Sequence, residues 1–191
     1  MSKVTWKGGT MINPLPALLA TCGASPQEWN MITVAWTGTV CTNPPMCYIS
    51  VRPERHSHAL IEKHMEFTLN LTTESMATAV DWAGVRSGKD HDKWKVTGLT
   101  PLPGEMVKSP VIDESPLSIE CRVKEVRRLG SHDMFLAEVL CVRADERFID
   151  AETGRFNLEE AGLLAYSHGQ YHGLTPSLGH FGFSVRKKSR K

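Results

Sequence analysis

Two stretches of the chain gather charged and hydroxyl side chains at spacings that could do chemistry. The first ends in Arg52-Pro-Glu-Arg55-His56-Ser57, two arginines and a serine where a helix is expected to start. Guanidinium groups fork to phosphate oxygens, and the free N–H groups of a helix start point outward at an anion, so this is a candidate phosphate site. A surface turn with solvated charges fits the same residues. Upstream, Thr33, Thr37, Thr39 and Thr42 string small hydroxyls along one predicted strand and the loop after it, where Pro44-Pro45 excludes helix. The second stretch, Ser87-Gly88-Lys-Asp-His-Asp92-Lys93-Trp94, is a polar loop that by itself carries no more than a capping aspartate.

Other candidates are weaker. His56/His58 and His168/His172 invite a metal, but Gly169 and Gly173 break the helix that would put the second pair on one face, and no cysteine or carboxylate completes a ligand set. No metal is expected. The glycine-rich turns of dinucleotide and P-loop sites, the HExxH of zincins and the GxSxG of hydrolases are all missing from the sequence. Cys22, Cys41, Cys47, Cys121 and Cys141 contain no CxxC pair and read as reduced thiols in a cytoplasmic protein.

The elements that must position these residues alternate apolar and polar with period two. Strands are expected over 17–21, 32–36, 46–52, 67–71, 117–124, 134–142 and 147–150, each half buried, with Ser118 and Glu120 on the outer face. Helices are few. Ser57 is read as the N-cap of one that runs to Met65 and presents Leu60, Ile61 and Met65. Thr73 would cap a second over 74–83, with Met76, Val80 and Ala83 inward and Gly84 stopping it, and Asp90 would cap a turn carrying Trp94. Strands outnumber helices without alternating regularly with them, so the expected fold is mainly β, a closed or nearly closed antiparallel barrel with a few short peripheral helices.

Composition is that of one ordinary globular domain: 191 residues, 41% hydrophobic, 23% charged, net charge +1. Five of the last six residues are basic, so the body of the chain is mildly acidic. The expected organisation is a single domain over 1–185 and a disordered basic tail over 186–191. An acidic body argues against a nucleic-acid partner, and no apolar run approaches the roughly 20 residues of a membrane span or forms a signal peptide.

Taken in order, Asn30-Met31-x-Thr33-x-Ala35-Trp36, Pro44-Pro45, Ile49-Ser50-Val51-Arg52-Pro-x-Arg55, Glu66-Phe67-x-x-Asn70 and Ser87-Gly88-x-x-x-Asp92-Lys93-Trp94 resemble the flavin reductase-like family, in particular its flavoredoxin branch. Gly98-Leu99-Thr100, Pro110, Pro116-Leu117, Glu120-Cys121 and the ending Tyr171-x-x-Leu174, Leu178-Gly-x-Phe181-Gly-Phe-Ser-Val-Arg186 extend the resemblance over roughly 14–187. Trp94 stands where a Phe is usual and Ala35 where Ser is frequent.

The resemblance implies an FMN-binding split β-barrel of Greek-key type, assembled as a homodimer with its flavin sites at the interface. It implies that Asn30, Met31, Thr33, Val34, Ala35, Trp36 and Thr37 lie along the flavin ring, with Trp36 as an apolar wall; simple barrel core is the other reading of Trp36. It implies that Arg52, Arg55, His56 and Ser57 anchor the phosphate. Ser87, Gly88, Asp92 and Lys93 would close over the cofactor, and His168 and Tyr171 would line the nicotinamide or acceptor side. The implied activity passes a hydride from NAD(P)H to flavin and electrons on to a small molecule or redox protein. Such a step needs aligned rings and no protein nucleophile or base, so no catalytic residue is expected. A Gly-Glu pair expected near Thr175-Pro176 is missing, which favours a second reading, an FMN-binding electron carrier without enzyme activity. A third is a binding module acting through the basic tail.

Overall fold

The computed structural model describes residues 1–185; the basic tail over 186–191 lies outside the described residues. Twelve strands and three α-helices run in the order β1 Leu15–Pro16, β2 Leu18–Cys22, β3 Asn30–Val34, β4 Thr37–Thr42, β5 Pro45–Val51, α1 His56–His64, β6 Glu66–Leu71, α2 Ala77–Val85, α3 Lys93–Thr97, β7 Pro101–Leu102, β8 Val111–Ile112, β9 Leu117–Arg128, β10 Asp133–Ala144, β11 Leu164–Ser167 and β12 Gln170–Gly173. Seven of them form one antiparallel sheet in the order β3-β2-β6-β9-β10-β5-β4. The two edge strands, β3 and β4, are consecutive in sequence with only Ala35 and Trp36 between them. A sheet whose edges are joined by two residues has to curl until they meet, and the twist added by irregularities in the β9–β10 ladder assists this. The result is the mainly β split barrel with peripheral helices that the sequence leads one to expect.

Cys47, Ile49, Phe67, Leu69, Cys121, Phe135 and Ala137 fill the barrel, with Leu60 and Ile61 of α1 over one end. A second apolar cluster packs Leu19 and Met31 against Met76, just before α2, and Val80 and Ala83 of α2. All five cysteines are free thiols. No helix among the described residues is long and apolar enough to cross a membrane.

β5 and β10 alternate buried with more exposed positions as expected, but β2, β3, β6 and the start of β9 are not half buried. In β6 both faces are covered, and in β9 Ser118 and Glu120 are buried as deeply as their apolar neighbours. The outer face of β2, β6 and β9 is roofed by residues 103–112, a segment that cannot join the ladder and is held by side chains instead. Glu120 accepts the N–H groups of Glu105, Met106 and Val107 at 2.9, 2.6 and 3.1 Å, and Glu66 accepts that of Lys108 at 2.7 Å. Asn70 is saturated: its amide donates to Leu19 O (3.0 Å) and Thr21 Oγ1 (3.2 Å), while its Oδ1 accepts from Ile112 N (3.0 Å) and Ser118 Oγ (2.7 Å). Period-two polarity therefore marks an interior polar layer here, not a solvated face.

Other local expectations change as well. Residues 37–42 form an edge strand, not a loop, and the start of 147–150 falls in a 3-10 turn (Glu146–Phe148) fixed by the Asp145 carboxylate accepting Arg147 N–H, leaving only a single bridge from Ile149 to Phe156. Arg55, not Ser57, occupies the N-cap of α1; Ser57 sits two residues inward in the first turn and is buried, and Met65 ends the helix in the left-handed region, partly exposed. Thr73 makes no capping bond, and the helix it precedes begins with a 3-10 turn. Gly84 lies within α2, and Asp92 rather than Asp90 caps α3, accepting Lys95 N–H at 3.2 Å. α1 and α2 start without any side-chain capping bond, so a nearby polar residue does not fix where they begin.

Asn70→Ala leaves four partners unmet in a buried layer and should cost at least about 2 kcal/mol. The urea midpoint should fall accordingly; an unshifted midpoint would show that this layer does not hold the roof.

Candidate functional site

Where the barrel splits, the chain leaves β3, turns through Ala35 and Trp36 outside either strand, and enters β4. A cavity of about 410 Å³ opens beside that turn. It is lined by Ile32, Thr33, Val34, Ala35 and Trp36 at the corner, by Asp81, Gly84 and Val85 of α2, and by Arg52, Arg55, His132, Tyr166 and Tyr171. Gly84 permits the close approach of helix to strand, since a Cβ there would sit 3.1 Å from Thr33 Cβ. The Thr33 hydroxyl ties the two together by donating to Val80 O. Trp36 is 38% exposed and faces His132, ring centroids 4.3 Å apart, so it is a wall of this cavity and not barrel core.

A second basin of about 280 Å³ adjoins the first and shares Ile32 and Arg55 with it. It is lined by Asn30, His56, Ser57, Arg86, Ser87, Gly88 and Lys93, with Glu54 as its one acidic side chain. The first turn of α1 opens here, so unpaired helical N–H groups, three cationic side chains and two hydroxyls converge. Asn30 organises the floor: its amide donates to Ser57 Oγ at 2.8 Å, and Gly88 passes so near that a Cβ would lie 2.2 Å from Asn30 Oδ1.

Lys93 is only 4% exposed, and its ammonium donates to Met31 O (2.8 Å) and Ala83 O (2.6 Å). Ala83 O belongs to the last turn of α2, where carbonyls lack helical partners and a cation is favourable. Burial pushes the Lys93 ammonium down to about 8, with Arg55 adding to the effect and Cys22 opposing it. Burial also lowers His56, helped by the charges of Lys89 and Lys93. Tyr171 is pushed up to about 12 by burial and by Asp81 beside it.

Of the residues anticipated from sequence, Thr33, Val34, Ala35, Trp36, Arg52, Arg55 and Tyr171 line the first basin, and Asn30, Arg55, His56, Ser57, Ser87, Gly88 and Lys93 the second. Four are placed elsewhere. Met31 points into the second apolar cluster, and Thr37 is buried, donating to Tyr48 O at 2.6 Å. Asp92 is spent on capping α3 and faces a neighbouring cavity, while His168 occupies the left-handed turn between β11 and β12, its exposed ring outside the cleft that Gly169 lines. The period-two reading passes over Ser50, Asp81, Gly84, Arg86, His132 and Tyr166. Asp81 and Gly84 follow the apolar stripe Met76-Val80-Ala83 by one position and so share the next helical face, a signal present in the sequence. His132 lies in a hairpin turn whose spacing says nothing of its target.

A model of the flavin reductase-like domain matches residues 11–175. The chain belongs to that family. An uncharacterized protein of Pyrococcus abyssi is 30% identical over 80% of this chain and 86% of its own length. Among solved structures, the flavoredoxin of Desulfovibrio vulgaris (Miyazaki F) superposes with a TM-score of 0.88 at 24% identity, covering 97% of this chain and all of that one. An FMN-binding protein from Thermus thermophilus reaches 0.79 at 23% identity, covering 94% and 99%. The split-barrel fold is thus common to this flavin reductase-like protein and to flavoredoxin.

Lys93→Met would leave Met31 O and Ala83 O without their donor and should destabilise the fold by about 2–3 kcal/mol. Thermal unfolding at neutral pH checks this, and an unchanged midpoint would show that the ammonium does not brace β3 against α2.

Proposed function

We propose that this protein is an FMN-dependent oxidoreductase that draws hydride equivalents from NAD(P)H and hands electrons to a second acceptor. The observation that carries the reading is the pair of adjoining basins. One is walled by aromatic rings and the strand edge, the other is cationic, and Arg55 stands in both. A planar ring system tethered to a phosphomonoester has that same sequence of needs, and family membership together with the FMN-binding relative supports it.

The residues present fit such a group. Arg55, Arg86 and Lys93 outnumber Glu54 around the second basin, as a dianionic phosphate requires, and Asn30 with Gly88 leaves a floor that only a glycine permits. Bound there, the flavin would supply the chemistry, taking a hydride from NAD(P)H and releasing electrons to the acceptor. The chain's part is to bind and orient: Trp36 and Val85 give the cleft apolar surface that excludes water, Thr33 fastens β3 to α2 beside it, and Arg52 adds a positive charge to its lining. No side chain is needed as nucleophile or base.

The flavin site is completed, in this reading, by a second copy of the chain. Val4, Trp6, Met11 and Ile12 of the N-terminal arm and Leu174, Leu178, Phe181 and Phe183 near the other end are all exposed. Both segments extend from the sheet β1-β11-β12, whose Tyr166 and Tyr171 wall the first basin. Apolar arms of this kind support pairing with a like surface. Five free thiols support a reducing compartment, the cytoplasm.

The purified protein should bind FMN, and NADH or NADPH should bleach the bound flavin under nitrogen. Binding without bleaching would leave an electron carrier in place of an enzyme. Arg55→Ala should weaken FMN by about 1.5–3 kcal/mol and riboflavin hardly at all. Equal losses for the two flavins would remove Arg55 from the phosphate. Sedimentation equilibrium should return a dimer that dissociates when residues 1–13 are removed; a monomeric full-length chain refutes the shared site.

A further inference from the structure

One buried charged cluster lines neither basin, yet its chain neighbours line both. His58 and Asp133 are 4% and 2% exposed, and His58 Nε2 stands 2.8 Å from Asp133 Oδ2. A carboxylate accepts and does not donate, so Nε2 carries the proton. The same Oδ2 accepts from Arg128, whose other terminal nitrogen donates to Glu62 Oε1 at 2.5 Å. His58 and Glu62 are one turn apart on α1, while Arg128 ends β9 and Asp133 begins β10. The helix is thus fastened to the hairpin at two points.

What those points adjoin gives the cluster its interest. Ser57, next to His58, lines the cationic basin, and His132, next to Asp133, lines the aromatic one with its ring against Trp36. Asp133 also pairs in register with Val51, which lies between Ser50 and Arg52 of the aromatic basin. His58 packs edge-on against the buried Phe135 ring, centroids 5.1 Å apart, so the imidazole is held by the barrel core as well as by its carboxylate. Burying an imidazole and a carboxylate carries a desolvation cost that two apolar side chains would avoid; what the hydrogen-bonded pair adds is a fixed geometry.

We infer that His58 and Asp133 are positioning residues that hold the cationic basin at a set distance from the Trp36–His132 pair, so that a phosphate settling on the first turn of α1 also seats the indole. The flavin reading of the two basins supplies the identity of the group so positioned. A shift of Ser57 on binding moves His58 in the same helical turn, the bond carries it to Asp133, and His132 follows as the next residue in the chain. Phosphate and ring then bind as one event, each improving the fit of the other.

Two measurements test this, the first without flavin. Inorganic phosphate titrated into the protein should shift the His132 Cε1–H proton resonance, assigned by its loss in His132→Gln. His58→Leu should abolish the shift, and His58→Gln, which can place an N–H where Nε2 stood, should restore it. In the second, riboflavin and FMN affinities are compared in the wild type and in Trp36→Leu. The advantage of FMN should shrink at least about fivefold when the indole is lost, and in the His58→Leu background the two changes should simply add. Arg128 still pairs with Asp133 in His58→Leu, and thermal unfolding checks that the variant folds. If it does not, His58→Leu combined with Asp133→Asn, which leaves no buried carboxylate, takes its place. A His132 resonance indifferent to phosphate in the wild type, a response that survives His58→Leu, or additive effects of phosphate and indole in the wild type each overturn the positioning role. A phosphate response that depends on His58 in a protein that binds no flavin overturns the flavin reading and leaves the positioning role standing.

Discussion

The chain passes from one edge of its main sheet to the other in two residues, Ala35 and Trp36, and most of the molecule answers to that constraint. Because β3 and β4 are neighbours in sequence but terminal in the sheet, the sheet is forced to close at that corner and to stay open away from it. The opening cannot be filled by ladder hydrogen bonds. It is bounded instead by α2, pinned to β3 by the Thr33 hydroxyl on one side and by the Lys93 ammonium, shared between Met31 O and Ala83 O, on the other. A cleft is what a barrel has where its edges are joined but not paired. A single buried cation and a single hydroxyl set its width.

The barrel itself was legible because its strands carry the simplest periodic signal available. Six of the seven anticipated strands are present, and the seventh, 147–150, fails where an Asp145 carboxylate turns the chain. Burial was misread for one physical reason. Alternation says which side chains are polar; it does not say whether the polar side meets water. Thr68, Asn70, Ser118 and Glu120 look like solvent-facing positions, yet each is buried beneath residues 103–112. Their partners lie up to 51 residues away along the chain, a separation that no local pattern encodes.

At the site, composition at fixed spacing worked for Arg52 to Ser57, whereas Ser87 to Lys93 read as a plain polar loop until the family resemblance gave it a role. It worked less well for geometry carried by tertiary contact. Met31 and Asp92 sit among motif residues, but one is turned inward by strand alternation and the other is consumed as a helix cap. His132 and Tyr166 reach the cleft from hairpins 80 or more positions beyond Arg52, positions that sequence spacing could not connect to it. Trp36 had two readings of equal standing from sequence, and only its exposure against His132 separates them.

The strand order also dictates how this polypeptide must be made. Everything up to residue 71 supplies two separate pieces of sheet, β3-β2-β6 and β5-β4, and the hairpin β9–β10 that welds them spans 117–144. While a ribosome is still extending the nascent chain toward that hairpin, β6 and β5 each present a bare, aggregation-prone edge with nothing to pair against. Any pairing within those two pieces before 117–144 is made stays incomplete, because the strands that cover both edges come last.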